Sequence, residues 1–253
     1  MNENERYLFD LEGYLIIPNA LTPNQVTSLN NILENHIEAE CSADMRNHRF
    51  VPLLAWGKEY RDLIDNPVII PYLKEILGKE FRLDHVYLDV IKSGKGPIGT
   101  RLHGGSIPFR AHSYFTFSNG QMHNGLSVIA YNLKDVGPND GGFGCVPGSH
   151  KSNYGFPEEW KEMDNLKPIV KPVTGPAGSA IIFTEALTHG TLPWIGSDDR
   201  RTVFFKYSPS SISWSAQYLN HEDYKDITES QKAILEGPNA RYTYRDLPKE
   251  NGV

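Results

Sequence analysis

The side chains that could do chemistry in this chain are few once their surroundings are considered. Of nine histidines, His36 falls in a helical stretch and His48 and His221 in polar stretches. His85 lies in a strand-like run, and His112 and His123 lie around the turn signal Asn119-Gly120. An isolated histidine of this kind is usually a surface or core residue, and His85, His112 and His123 are at most substrate-facing. Two others stand in more telling contexts. His103 follows a Gly-rich turn, in Gly99-Thr100-Arg101-Leu102-His103-Gly104-Gly105, and His189 follows an apolar strand and precedes Gly190-Thr191. Arg200 comes eleven residues after His189. It opens a strand whose alternation sets Arg200 and Thr202 on one face and Arg201 on the other. Imidazoles bind metals or move protons, and a guanidinium fixed on a strand grips a carboxylate bidentately.

Such groups need elements to hold them. Tyr14 to Ile17 reads as a short strand. A helix follows, with Thr22 as N-cap, Pro23 in the first turn, Gln25 completing a capping box, and Val26, Leu29, Leu33 and Ile37 at helical spacing. A second helix is expected from Asn66-Pro67, carrying Ile69, Ile70, Leu73, Ile76 and Leu77 and stopping at Gly78. From Phe81 the texture becomes β-rich, with runs at 81–92, 126–133, 180–184 and 201–208 separated by Gly/Pro/Asn/Asp clusters. The segment Gly141 to Lys151 reads as a turn ending in Pro147-Gly148-Ser149-His150-Lys151. Thr228 to Gly237 reads as a last helix with a Thr228/Gln231 capping box. The expectation is one domain over 1–253: a mostly helical flank at 1–80, a β core at 81–210 and a C-terminal helical segment at 211–253. An all-β sandwich or barrel with helices outside fits this texture.

Composition narrows the functional classes. The chain has 253 residues with 25 Lys+Arg, 31 Asp+Glu and a formal net charge of −6, and no basic block. A nucleic-acid chain or an anionic membrane is therefore not the expected partner, and a small molecule is. Cys41 and Cys145 sit in no Cys-x-x-Cys or Cys/His cluster, which speaks against a zinc finger or a disulfide scaffold and for a reducing, cytoplasmic setting. Met1 to Asp10 is polar, and no apolar run is long enough for a signal peptide or membrane span. Oligomeric state is left open.

The order of the motifs resembles the phytanoyl-CoA dioxygenase family of Fe(II)/2-oxoglutarate oxygenases. The matching pieces are the EGYLIIPNALTPNQV entry, the first histidine, the GGFGCVPGSHK turn, the second histidine followed by Gly-Thr, and the RRTVFFKY strand. The resemblance implies a double-stranded β-helix, or jelly roll, and an oxidoreductase using Fe(II), 2-oxoglutarate and O2. It implies His103 and His189 as iron ligands. It also implies Arg200 as the anchor of the far carboxylate of 2-oxoglutarate, with the Thr191 and Thr202 hydroxyls beside it. Substrate contacts are expected from Arg101, Arg110 and Tyr87, with Trp56, Tyr114, Phe115 and Trp194 as further candidate walls.

One departure matters. The family's His-x-Asp/Glu motif has Gly105 at its carboxylate position. Three readings stay open. A halide such as chloride takes the vacated position, as in related halogenases with His-x-Gly or His-x-Ala, and the outcome is radical halogenation of a C–H bond. Alternatively Glu185, four residues before His189, replaces the missing ligand and the outcome is hydroxylation. In the third reading iron chemistry is lost and the protein only binds a small molecule.

Overall fold

The computed structural model describes residues 1–93 and 101–240. The turn expected at Gly99-Thr100 and the C-terminal segment beyond 240 lie outside them. The N-terminal flank follows its cap chemistry. Helix α1 (Glu3–Glu12) was not expected, yet its signal is present: Asn2 accepts from the Glu5 amide while Glu5 accepts from the Asn2 amide, and Gly13 closes the helix at φ 83°. Strand β1 (Tyr14–Ile17) and helix α2 (Pro23–Glu40) form as read, with the Thr22/Gln25 box in place. Strand β2 (Asn47–Phe50) and the short α3 (Lys58–Arg61) come next. Helix α4 (Ile70–Leu77) starts later than expected, after one turn at 67–69 in which the Asn66 carbonyl accepts from both the Ile69 and the Ile70 amides. Asn66 Oδ1 accepts from Val68 and its Nδ2 donates to the Ala20 carbonyl, so Asn66-Pro67 is a turn that ties α4 to the start of α2.

The β core comprises β3 (Phe81–Ile91), β4 (Phe115–Ser118), β5 (Gln121–Asn124), β6 (Ser127–Asn132), β7 (Gly142–Val146), β8 (Lys171–Pro172), β9 (Ala180–Thr184), β10 (Thr188–Leu192) and β11 (Arg200–Pro209), and α5 (Glu229–Leu235) follows with its expected capping box. A six-stranded antiparallel sheet runs β1-β9-β6-β11-β3-β2, a three-stranded sheet runs β10-β7-β8, and β4-β5 is a hairpin. This mostly antiparallel β architecture with few helices is the expected class. Both faces of the large sheet are covered. Ile129, Tyr131, Ile182, Val203 and Phe205 face the helical flank with Leu29, Leu33 and Leu73. Val128, Ala130, Ile181, Phe183 and Phe204 meet Phe143 and Cys145 of the small sheet. Strands covered on both sides lose polar alternation, which is why β6 and β9 read as continuous apolar runs. Each large apolar side chain buried at these seams contributes about 1.5–3 kcal/mol.

The segment 141–151 corrects the sequence reading. Its first half is not a turn but the buried strand β7. Its glycines are needed by neighbours: a Cβ on Gly144 would lie 2.6 Å from Leu192, and one on Gly142 would lie 3.0 Å from Arg200 Nε. Only the second half turns. There His150 Nε2 donates to the Asp10 carbonyl and Ser149 Oγ accepts from the Thr188 amide, bracing α1 and β10. Cys41 and Cys145 are free thiols. Among the described residues no helix is long and apolar enough to cross a membrane.

Candidate metal centre

His103 and His189 are joined through the backbone. The His103 amide donates to the His189 carbonyl and the His189 amide to the His103 carbonyl, each at 2.8 Å, so the two stand directly opposite on an antiparallel bridge. Opposed residues send their side chains to the same face, and the ring centroids lie 4.3 Å apart. Gly104 permits this crossing: it has φ +82°, and a Cβ there would lie 2.2 Å from the Leu187 carbonyl oxygen. Glu185 enters from the tight connection between β9 and β10. Ligand atoms of His103, Glu185 and His189 all lie within 4.8 Å of one another, the only such histidine, cysteine or carboxylate group among the described residues. Glu185 Oε2 is 3.8 Å from His189 Nε2.

The electrostatics prepare this set for a cation. His189 Nδ1 lies 2.7 Å from the Leu187 carbonyl. A carbonyl only accepts, so Nδ1 carries the proton and Nε2 is the free donor atom. Burial pushes His189 down to about 4, helped by the neighbouring His103 and opposed by Glu185. His103, which is open to the cavity, is also lowered, again chiefly by desolvation. For Glu185, burial works to raise the pKa but is outweighed by Lys206 and His189, and the carboxyl falls to about 2. Two neutral imidazoles and an ionised carboxylate are the protonation states that metal binding requires.

These groups open on a cavity of about 670 Å³. Phe143 and Phe183 pack around His189, at 5.9 and 4.9 Å between centroids. One wall is a row of rings in which Trp214 stacks on His85, His85 on Tyr87 and Tyr87 on Phe204. Asp84 fixes the top of that wall by accepting from His85 Nδ1 and from the Trp214 and Ser215 amides.

Arg200 is 2% exposed, and its Nε and Nη1 have no hydrogen-bond partner. Burial pushes this guanidinium down to about 10, with Asp89 and Tyr87 opposing the shift. A buried, unpaired guanidinium is rare, and its donor set suits a carboxylate. Thr202 lies two residues along the same face with its Oγ1 also unpartnered, while Thr191 lines the cavity. Arg201 points the other way, onto Glu34 and Asp199.

Other expected residues fall elsewhere. Arg101 reaches the cavity, but its guanidinium is paired with Glu162 at 2.7 Å and Glu158 at 3.3 Å, so it fastens the 158–162 segment instead of waiting for a substrate anion. Arg110 lines the cavity, exposed, with no ion-pair partner among the described residues. Tyr87 lines it as expected, beneath Arg49 at 4.0 Å. Trp56, Tyr114, Phe115 and Trp194 are not on its wall: Trp56 stacks on His36, Tyr114 pairs with Phe109, Phe115 packs on His150, and Trp194 is buried with Ile91 and Val136. Gly105 is buried in a neighbouring cavity of about 430 Å³, where a Cβ would face Thr188 Oγ1 at 3.1 Å. Sequence reasoning missed Lys206, whose signal was available. The alternation that paired Arg200 with Thr202 continues to Phe204 and Lys206, and Lys206 Nζ lies 2.5 Å from Glu185 Oε1.

Comparison with known proteins agrees with this geometry. Residues 94–202 match the family model for phytanoyl-CoA dioxygenase (PhyH). No curated protein matches the chain in sequence. HygX from Streptomyces hygroscopicus, solved with nickel and 2-oxoglutarate, is 23% identical with a TM-score of 0.76, over 84% of this chain and 89% of that one. SnoN, the non-heme alpha-ketoglutarate-dependent epimerase from nogalamycin biosynthesis, is 18% identical with a TM-score of 0.60, over 82% and 83%. At these identities the likeness speaks for the fold, the cupin-like double-stranded β-helix. The motifs, the fold and the match over 94–202 agree in making the chain similar to the phytanoyl-CoA dioxygenase family of Fe/2-oxoglutarate-dependent enzymes.

Proposed function

We propose that this protein is an Fe(II)/2-oxoglutarate-dependent oxygenase that functionalises a C–H bond of a small molecule, with His103, Glu185 and His189 holding the iron. The observation that carries this reading is the convergence of an ionised carboxylate with two neutral imidazoles at the cavity. Two imidazoles and one carboxylate form the donor set of non-haem iron oxygenases, which leaves positions open for other ligands. When bound, iron with 2-oxoglutarate and O2 supplies an oxidant able to abstract hydrogen from an unactivated carbon.

The chain's own residues do the rest. Arg200 takes the far carboxylate of 2-oxoglutarate, which answers its two unpartnered nitrogens, with the unpartnered Thr202 hydroxyl on the same strand face and the Thr191 hydroxyl at the cavity as its assigned neighbours. Phe143 and Phe183 keep water from the side of His189 turned to the core. The exposed Arg110 suits an anionic group on the substrate. If so, Arg110→Ala raises the substrate KM and leaves 2-oxoglutarate binding unchanged. A small-molecule substrate accords with HygX, crystallised with hygromycin B, and with SnoN, crystallised with nogalamycin RO.

Of the two catalytic outcomes, oxygenation is favoured over halogenation. Glu185 already brings a carboxylate to the imidazoles, whereas Gly105 lines the neighbouring cavity, so chloride has no part in this reading. Anaerobic titration of apoprotein with Fe(II) and 2-oxoglutarate, with and without chloride, tests it through the visible charge-transfer band. A chloride-independent band that is lost in His103→Ala, His189→Ala and Glu185→Gln is expected. A band that needs chloride and survives Glu185→Gln would transfer the assignment to the halide, and no band in the wild-type protein would reject iron chemistry.

A further inference from the structure

We infer that Lys206 is a positioning residue of the metal centre: its ammonium holds one oxygen of Glu185 so that only the other faces the imidazoles. This rests on the reading of Glu185 as a ligand and adds the device that aims it. Glu185 sits on the connection between β9 and β10, outside both strands, so its backbone alone does not fix where the carboxylate points. Its Oε1 is 2.5 Å from Lys206 Nζ, and its Oε2 is the atom 3.8 Å from His189 Nε2. No other hydrogen-bond donor reaches this carboxylate among the described residues.

Lys206 is itself well placed for the task. It stands on β11, the long central strand, on the face that carries Arg200, Thr202 and Phe204, and it is paired across to His85 on β3. Its side chain is 13% exposed, and its Nζ lies 5.5 Å from the Tyr87 ring centroid. A carboxylate with both oxygens free can chelate a cation through the pair. One with an oxygen engaged by an ammonium offers a single donor atom, and so leaves one more coordination position for 2-oxoglutarate or O2. Hydrogen-bonded partners that orient ligands typically govern metal affinity by about 10–100-fold.

The test is anaerobic titration of Fe(II), and of Co(II) as a spectroscopic probe, into apo wild-type, Lys206→Met, Lys206→Arg and Glu185→Gln proteins. Apo thermal midpoints are read in parallel, so that loss of the ion pair is separated from loss of metal. Lys206→Met is expected to weaken metal binding about 10–100-fold and to alter the Co(II) visible spectrum, while Lys206→Arg recovers much of the affinity. If Lys206→Met does not fold, Lys206→Gln carries the same expectation. Unchanged or tighter metal binding in the neutral variant, together with loss in Glu185→Gln, would overturn the positioning role alone: the ammonium would then be competing for the carboxylate. Unchanged binding in Glu185→Gln would instead overturn the ligand reading on which the inference rests.

Discussion

Replacing Arg200 with methionine should move two properties in opposite directions. In the free protein the Arg200 guanidinium is nearly inaccessible, has two nitrogens without partners, and is pushed from 12.5 down to about 10 by burial. Each unit of displacement corresponds to about 1.4 kcal/mol, so burial disfavours the charged form by roughly 3 kcal/mol. The sign follows from linkage. The folded pKa lies below the unfolded one, so the penalty is present in full at neutral pH and is relieved only as pH rises past about 10. Methionine keeps most of the volume and removes the charge. The apo variant should therefore be more stable by about 1–3 kcal/mol, or several degrees in Tm for a chain of this length. With 2-oxoglutarate and metal present that advantage should shrink or disappear. Ligand at a hundred times its Kd stabilises the wild type by about 2.7 kcal/mol, and the variant, lacking the anchor, should gain almost nothing. Differential scanning fluorimetry with and without 2-oxoglutarate reads both effects. Arg201→Met is the control, because Arg201 is held by Glu34 and Asp199 on the opposite face; it should lose stability and keep the 2-oxoglutarate shift. An Arg200→Met protein that melts lower than wild type when apo, or still responds fully to 2-oxoglutarate, would refute the reasoning.

Two further outcomes follow from the same geometry. Gly105→Asp should not raise Fe(II) affinity, because the new side chain would meet Thr188 Oγ1 in the neighbouring cavity, and at φ +97° it should destabilise the fold by about 1–2 kcal/mol; improved iron binding in that variant would restore the halide reading. Asp84 should confer acid-dependent stability. Its burial works to raise the pKa, but the His85 hydrogen bond, the Trp214 amide and Arg82 outweigh it and bring the carboxyl to about 2, so about 2 kcal/mol of stability is present above pH 4 and is lost as pH falls toward 2. Urea unfolding of wild type and Asp84→Asn across that range checks this, and parallel curves for the two would count against it.

Much of the molecule was legible in the one-dimensional pattern. The capping boxes at Thr22 and Thr228 place the starts of α2 and α5 because cap chemistry is local: a side chain three residues away either reaches the free amide or does not. Parity along β11 places Arg200 and Thr202 on one face and Arg201 on the other, because successive strand residues point to opposite sides. The same rule, followed two steps further, reaches Lys206. Where local chemistry was ambiguous the reading failed. Asn66-Pro67 carries a helix-start pair and Asn66 Oδ1 does accept from Val68, but the Asn66 carbonyl is shared by the Ile69 and Ile70 amides, so a turn precedes α4. Gly141 to Val146 carries turn residues, but its glycines answer to Leu192 and Arg200 on strands far along the chain.

The candidate site divides in the same way. Residue type and spacing singled out His103, His189 and Arg200, since their motifs are contiguous or separated by a countable stretch of strand. Whether a carboxylate joins them was undecided in the sequence, because Gly105 and Glu185 lie on different segments whose separation along the chain says nothing about direction in space. The His103–His189 backbone bridge and the turn between β9 and β10 place Glu185 beside both imidazoles and Gly105 beside Thr188 in the neighbouring cavity. Tertiary structure alone also decided which cations were already engaged, pairing Arg101 with Glu158 and Glu162 and leaving Arg110 exposed at the cavity. The physical reason is the same throughout: cap, parity and turn rules act over a few residues, whereas ligand sets and ion pairs are defined by distances that only packed sheets fix.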